Sequence, residues 1–567
     1  MIVVGIFLQL AIIQTANSQD FILGVDLSGV NQLEDCGVNY YDADGLDTDP
    51  YILLAGLGAN LVRLRLWYNP EWSGYSDFAD IMRSFQRAKE AGMEVMIDFH
   101  YSDFWADPSR QWRPEAWNGI SDTGVLGDSL YSYTYRTLKR LASEGLVPGI
   151  VQLGNEINGN ILIERTTEAL DESSPGMYPV NWSRQIPLLK RAFEAVSSVN
   201  AEEAVNIQTL IHIAQPEHAD WWFKEAVAAG LKDYDIIGIS YYPQWSEFGV
   251  REVGRFIQSL KATYGKEVMI VETGMPWTTA YNDQAGNILG SGSLLDEYGD
   301  SFSMEMQQDF MTDLCYLVKA GGGAGVIYWE PAWVSSGCKT FWGSGSPYEN
   351  ATLFDFSNKL HKGAHYLSWN YNEMPPALED QQVLFSVDMS EAYNVESAFI
   401  TGDFTGESWR FEEMTRLGND IYTLETAIPG RSSGAFIFYS KDSWDDNYRE
   451  TVPAECAQLW GTHRRYVIRD TSNNYSYMWS GCEGIVSVDL KEDGPSISFN
   501  NSSGIITMPG ELQIDKISIC NGIGTVIYRS DGEDREINVS SFPAGTYFLS
   551  FQSGNQLNTF PFVKASE

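Results

Sequence analysis

The sequence predicts an α/β chain, a (β/α)8 TIM barrel followed by two small all-β domains. Three observations carry that expectation. Between about residues 20 and 370, eight short apolar runs alternate with amphipathic helical patterns, the rhythm of a parallel sheet with crossover helices. The runs end on polar and aromatic residues, as the C-terminal mouth of a barrel requires. After residue 380 the period shortens to that of half-buried strands, punctuated by Gly, Asp and Asn.

Residues 1–18, MIVVGIFLQLAIIQTANS, are apolar from Ile2 to Ile13 and close on Ala16, Asn17 and Ser18. A short apolar run before small residues reads as a secretory signal peptide, although its basic n-region is missing. The barrel is expected over residues 19–373, with strands at Ile22–Val25, Leu61–Leu66, Val95–Phe99, Ile150–Leu153, Ile207–Ile213, Ile236–Ile239, Val268–Val271 and Gly325–Trp329. Between them, DFADIMRSFQRAKEAGM sets Phe78, Ile81, Met82, Phe85 and Ala88 on one helical face and stops at Gly92. SRQIPLLKRAFEAVSSVN repeats the pattern with Ile186, Leu189, Phe193 and Val196. MPPALED, at 374–380, is a polar, Pro-bearing linker. A β-sandwich is expected over 380–483, from VLFSVDM, SAFITGDF, IYTLETAI and AFIFYS, and a last small β module over 484–567.

The chain carries 76 acidic against 37 basic residues, a formal charge of −39. Such a field repels phosphate backbones, so nucleic acid is excluded as a natural partner and neutral or cationic ligands fit better. No run approaches the ~20 apolar residues of a membrane span. Six cysteines stand at 36, 315, 338, 456, 482 and 520, without the spacing of a zinc site. In an exported chain Cys456 and Cys482, close together in one loop-rich segment, are the expected disulfide, and the other four are expected as small buried thiols.

Chemistry concentrates at the strand ends. Glu156 follows strand four in VQLGNEINGN and Glu272 follows strand seven in VETGMPW, and those strands face one another across a barrel. Alone, VQLGNEINGN also fits a strand entering a polar turn. With a second glutamate opposite, the pair suits retaining hydrolysis of a glycosidic bond, in which a proton donor and an attacking carboxylate stand ~5–5.5 Å apart. Glu156 then needs a raised pKa while Glu272 stays ionised. Arg63 shares its strand face with Arg65 and either steadies a carboxylate or forms a structural buried ion pair. His100, with Tyr101 and Asp103 beside it, is expected in the cleft, and His212 is evenly balanced between core and site. Trp105, Trp245, Trp277, Trp329, Trp333 and Trp342 divide between sugar platforms and packing.

These segments resemble a known family. GVDLSGVNQLEDCGVNYYD at 24–42, VRLRLWYNP at 62–70, DFHYSDFWADP at 98–108, QLGNEINGN at 152–160, SYYPQW at 240–245, VETGMPW at 271–277 and YWEPAW at 328–333 are similar to glycoside hydrolase family 53, the endo-β-1,4-galactanases. The resemblance implies a secreted, retaining endo-hydrolase of (arabino)galactan. It implies Glu156 as general acid/base and Glu272 as nucleophile, supported by Arg63, His100, Asn155 and Tyr241. Asp103, Trp329 and Trp333 complete the expected substrate contacts. Bacterial members often hold Ca²⁺ in the loop after strand seven. Here TTAYNDQAGNILGSGS offers Asn282 and Asp283 but a single carboxylate and no His, short of the usual six to eight oxygens. No cofactor and no metal site are expected, with a structural Ca²⁺ beside Asp283 left open. The alternatives are another enzyme of the same clan, an endo-mannanase or xylanase, and a non-catalytic glycan-binding protein.

VLFSVDMSEAYNVESAFITGDFTGESW resembles starch-binding-like and related immunoglobulin-type domains, so the middle module is either a spacer or a sugar binder with Trp409 as its platform. INVSSFPAGTYFLSFQSGNQLNTFPFVKASE resembles the sorting domain of type IX secretion substrates, which implies release to the medium or the bacterial outer surface. The expected partner is polysaccharide alone, galactan side chains of pectin, met by a monomer.

Overall fold

In the computed structural model the eight runs close into a parallel barrel in chain order: β1 (Ile22–Asp26), β2 (Leu61–Leu66), β3 (Glu94–Phe99), β4 (Ile150–Leu153), β5 (Gln208–Ala214), β6 (Ile236–Ser240), β7 (Glu267–Thr273) and β8 (Gly325–Tyr328), with β8 pairing back onto β1. The helices are α1 (Val30–Asp35), α2 (Pro50–Leu57), α3 (Phe78–Glu90), α4 (Thr123–Ser143), α5 (Trp182–Glu203), α6 (Pro216–Ala228), α7 (Val250–Tyr264) and α8 (Met304–Ala320). The structure describes residues 21–564 apart from 342, 393–394, 407, 419, 470–472, 483–497, 501–503, 509–515, 522–525, 531–533, 544 and 554–555. The expected signal peptide lies outside the described residues.

Helix α3 shows how local signals act. Asp77 caps it by accepting the Asp80 amide at 2.8 Å, Ile81, Phe85 and Ala88 bury the face that the spacing marks, and Gly92 leaves the helix at φ 79°.

Strand periodicity builds the barrel interior in layers. Ile22, Leu61, Met96, Ile150, Leu210, Ile236 and Met269 form an apolar plug with Val271 and Ile327. Two or four residues further along, the same parity turns Asp26, Arg63, Asp98, Gln152, His212 and Ser240 inward, all of them buried. A polar layer therefore rests on an apolar floor. Strand β7 breaks the alternation. Ile270 pairs with Ile239 but Glu272 pairs with Ser240, and one extra residue also opposes β8. This bulge lets Glu272 point inward although Met269 and Val271 already do.

Beyond β8 lies a short hairpin of β9 (Lys339–Thr340) and β10 (Gly343–Ser344). Cys36 and Cys338, 302 residues apart, form a disulfide, whereas Cys315 is a free buried thiol. The expectation of buried thiols thus fails for Cys36 and Cys338, because only barrel closure brings those segments together.

The chain divides into two compact units, one ending at Asn372 and the other comprising Leu295–Asp300 and the residues from Glu373 onward. The second unit contains a seven-stranded sheet of β11 (Asp380–Asp388), β12 (Ala398–Gly402), β13 (Glu412–Gly418), β14 (Ile421–Pro429), β15 (Ser433–Tyr439), β16 (Arg464–Val467) and β17 (Asn473–Met478), in the order β16-β15-β12-β13-β14-β11-β17. Val383, Phe385, Val387, Phe436 and Phe438 lie in its core, and Cys456 pairs with Cys482 as expected. The last segment forms a three-stranded and a four-stranded sheet around Ile506, Ile519, Ile537 and Leu549. No described helix is long and apolar enough to cross a membrane.

Candidate active site

Strand β4 ends in a turn that only glycine serves well. Gly154 has φ 97°, and a Cβ there would meet Ile157 Cγ2 at 2.6 Å. Glu156 follows at φ 46°, a conformation that a side chain adopts only when its surroundings enforce it. The Ile157 amide donates to the His212 carbonyl at 2.9 Å and holds the turn. One oxygen of Glu156, one of Glu272 and one ring nitrogen of His212 lie within 4.8 Å of one another. Such a carboxylate separation is close to the ~5 Å of double displacement and well short of the ~6.5–9.5 Å that leaves room for a water between.

Arg63 organises the layer below. Its Nη1 donates to Asp26 at 2.9 Å, its Nη2 reaches Asp98 at 2.9 Å and Glu272 Oε1 at 2.7 Å, and its Nε donates to Gln152 at 3.2 Å. It is both a structural ion pair and the support of a carboxylate. Burial pushes Glu272 up to about 7, opposed mainly by the Arg63 guanidinium, which favours the ionised form. Burial and then the charge of Glu272 push Glu156 well above the ordinary carboxylate range, against a hydrogen bond from Ser240. The Ser240 hydroxyl donates to Glu156 Oε1 at 2.6 Å, and His212 Nε2 stands 2.8 Å behind it. Burial, reinforced by Arg63, holds His212 well below its ordinary value, hence neutral. Both carboxyls are raised, but Arg63 pairs directly with Glu272 alone, so Glu272 is the readier of the two to ionise and Glu156 the readier to hold a proton.

Asn155 accepts from Arg63 at 2.8 Å and donates to the Ala106 carbonyl at 2.8 Å, which leaves its second amide hydrogen for the cleft. His100 Nδ1 accepts from Trp67 Nε1 at 3.2 Å and the Ala106 amide at 3.1 Å. Its proton is thereby assigned to Nε2, 3.0 Å from Asp98. Arg65 pairs with buried Glu330 at 3.0 Å, and its guanidinium lies 4.0 Å from the Trp105 ring and 4.7 Å from the Trp67 ring. Trp105 in turn stacks on Trp333 at 12°. The cleft above the carboxylates encloses about 650 Å³ and is walled by Trp105, Tyr242, Trp245, Trp329, Trp333 and Tyr348, a size and lining suited to several sugar rings.

Arg63, His100, Asn155, Glu156, Glu272, Trp329 and Trp333 all line this cleft. Tyr241 does not. Its hydroxyl donates to the Phe248 carbonyl at 2.8 Å and its ring faces Phe310, because it has the outward parity on β6. Its neighbour Tyr242 turns inward, with the hydroxyl 3.5 Å from Glu272 Oε2. Asp103 is a loop organiser, accepting the Asn69 and Glu115 amides at 2.9 and 2.7 Å. Trp277 packs on Phe356 and His361, and Trp342 lies outside the described residues. Asp26, Asp98, Gln152, Ser240 and Tyr242 escape motif reading, although their common parity with the apolar plug marks them.

The donors beside Asp283 do not fit a calcium ion. Asp283 Oδ1 accepts the Ala285 amide at 2.9 Å, and Oδ2 accepts those of Ser336 and Ser346 at 3.1 and 2.6 Å. Backbone amides take the lone pairs a cation would need. Glu156, His212 and Glu272 do not form a metal cage either, since both His212 nitrogens are engaged, Nδ1 at 3.0 Å from Gln152 and Nε2 by Ser240.

A closed parallel barrel bearing two carboxyl groups at this separation in an aromatic cleft defines a glycoside hydrolase. Residues 22–366 match the model of glycosyl hydrolase family 53, and the chain belongs to that family. Over 344 residues it is 47% identical to an arabinogalactan endo-beta-1,4-galactanase of Cellvibrio japonicus, covering 61% of this chain and 89% of that protein. It is 33% identical to an endo-beta-1,4-galactanase of Bacillus subtilis, covering 57% and 72%. Among solved structures, the GH53 catalytic domain of Ignisphaera aggregans superposes with a TM-score of 0.55 at 32% identity, covering 63% of this chain and 98% of that one. Residues 496–564 match a secretion system C-terminal sorting domain, which marks the protein for export or display at the cell surface.

Proposed function

We propose that the protein is an endo-β-1,4-galactanase that cuts galactan with retention of configuration, and that Glu156 and Glu272 perform the two displacements. The separation of the two carboxyls and their opposed protonation carry this reading, and the two galactanase relatives supply the substrate. Glu272 attacks the anomeric carbon as Glu156 passes its proton to the departing oxygen, which leaves a glycosyl ester on Glu272. Arg63 grips Oε1 and Tyr242 faces Oε2, so the nucleophile is aimed while it remains charged. Esterification removes the Glu272 charge, which after burial is the largest influence raising Glu156. With its pKa lowered, Glu156 stays ionised after giving up its proton and serves as the general base of the second step, taking a proton from water as that water displaces the ester. The reaction requires no cofactor, and one chain supplies every cleft residue, so a monomer suffices.

Linear β-1,4-galactan should yield short oligosaccharides whose new reducing ends appear first as the β anomer by NMR. The α anomer as first product would refute retention, and hydrolysis of mannan or xylan with galactan untouched would refute the substrate. Membership of the family and the intact carboxyl pair speak against a mannanase, a xylanase or a pure binder.

A further inference from the structure

The outer face of the seven-stranded sheet is not the polar surface that alternation leads one to expect. On β15, Phe436 and Phe438 point into the core, while Ile437 and Tyr439 point the other way and gather Val452, Phe399, Trp409, Phe411, Tyr448 and Cys456 into a second apolar cluster. The connection of residues 440–463 between β15 and β16 covers this face. It is fastened by the Cys456–Cys482 disulfide and by buried Glu450, which accepts from Arg464 Nε at 3.0 Å and from the Phe438 amide at 3.0 Å.

Two indoles stand out from this covering, Trp460 at 68% and Trp444 at 57% exposure. Each rests on aromatic support. Trp460 lies 5.9 Å from the Trp409 ring and 5.2 Å from His463, and Trp444 lies 4.5 Å from Phe411 and 5.8 Å from Tyr439. Trp409 is less open than either of these indoles. It is half-buried, and its indole N–H donates to Asp403 at 3.0 Å. Exposed indoles braced by neighbouring aromatic rings offer flat apolar faces on which a ligand can stack.

We propose that Trp460 and Trp444 form a non-catalytic binding site for a neutral β-1,4-galactan chain. The flat indole faces match the apolar faces of pyranose rings. The exposed carboxylates of Asp442, Asp445, Asp446 and Glu455 in the same connection accept hydroxyl hydrogen bonds and repel a polyanion such as polygalacturonate. The choice of galactan rests on the activity proposed above, because a site on the enzyme's own chain raises the local concentration of its substrate.

The test uses the full chain with Glu272→Ala, so that the polymer survives, and compares it with the same protein also carrying Trp460→Ala and Trp444→Ala. Retention on insoluble β-1,4-galactan should weaken about tenfold, the loss of one to two ring-stacking contacts. Polygalacturonate should retain neither protein. In the otherwise native enzyme the two tryptophan substitutions should leave hydrolysis of soluble galactotetraose unchanged. Equal retention of both proteins overturns the proposal, as does a sedimentation result in which the tryptophans hold two copies of the chain together. Tryptophan-dependent retention on galactan by a protein that fails to hydrolyse it would uphold the site and refute the activity, so the two failures are distinguishable.

Discussion

Arg63→Lys tests the electrostatics of the nucleophile. The guanidinium serves Asp26, Asp98 and Glu272 together, each within 3 Å, and a single ammonium on a shorter reach cannot serve three carboxylates. If the cation settles between Asp26 and Asp98, its charge centre retreats from Glu272 from ~4 to ~6 Å, and at an effective dielectric of ~20 the attraction falls from ~4 to ~3 kcal/mol. The lost ~1.4 kcal/mol is about one pK unit. Glu272 already sits at about 7 through burial, and losing Arg63 as counter-charge raises it further. The acid limb of kcat/KM reports the free enzyme's nucleophile and should therefore move about one unit toward alkaline pH. The assay is reducing-end release from galactan across the pH range at substrate well below KM. An acid limb within about 0.3 units of wild type would refute the assignment of Arg63 as the group that holds Glu272 ionised.

Three further outcomes follow from the same geometry. Tyr242→Phe should lower kcat about tenfold, the weight of one hydrogen bond to a charged group, whereas Tyr241→Phe should leave kinetics near wild type; the reverse order would refute the parity assignment on β6. Glu156 has its folded pKa raised above the unfolded value, so its contribution to stability is present below about pH 4.5 and fades as pH rises toward the folded pKa. Glu156→Gln cannot ionise, and calorimetry should show its melting temperature gaining on wild type as pH increases; a constant difference would refute the raised pKa. Replacing Cys36 and Cys338 by Ser frees a loop of 302 residues in the unfolded chain and should cost about 2–5 kcal/mol by denaturant titration; unchanged stability would show that the bond is not formed in solution.

Much of this protein was determined by the sequence alone. Eight apolar runs of strand length separated by amphipathic helices leave a closed parallel barrel as the economical way to bury both faces of the sheet, and the strands stand close to where the runs lie. Glu156 and Glu272 are legible because function in such a barrel gathers at the strand ends, and each directly follows its apolar run. Parity along a strand is also written in the sequence, so Tyr242, Ser240 and Asp98 could have been read from the spacing to Ile236 and Met96.

Tertiary structure alone decided the rest. The bulge in β7 arises from the register of three strands, and without it Glu272 would face outward. Asp103 stands on the loop after β3, and only the folding of that loop turns it to cap backbone amides rather than to join Asp98 beside Arg63. Cys36 and Cys338, 302 residues apart, meet because the barrel closes, and Trp460 emerges because its connection is held against the sheet by the buried Glu450–Arg464 pair as well as by the Cys456–Cys482 bond that the sequence already suggests. Each of these depends on contacts between segments far apart in the chain. A local pattern records which way a side chain leaves its own strand, but the groups waiting there are supplied by other strands.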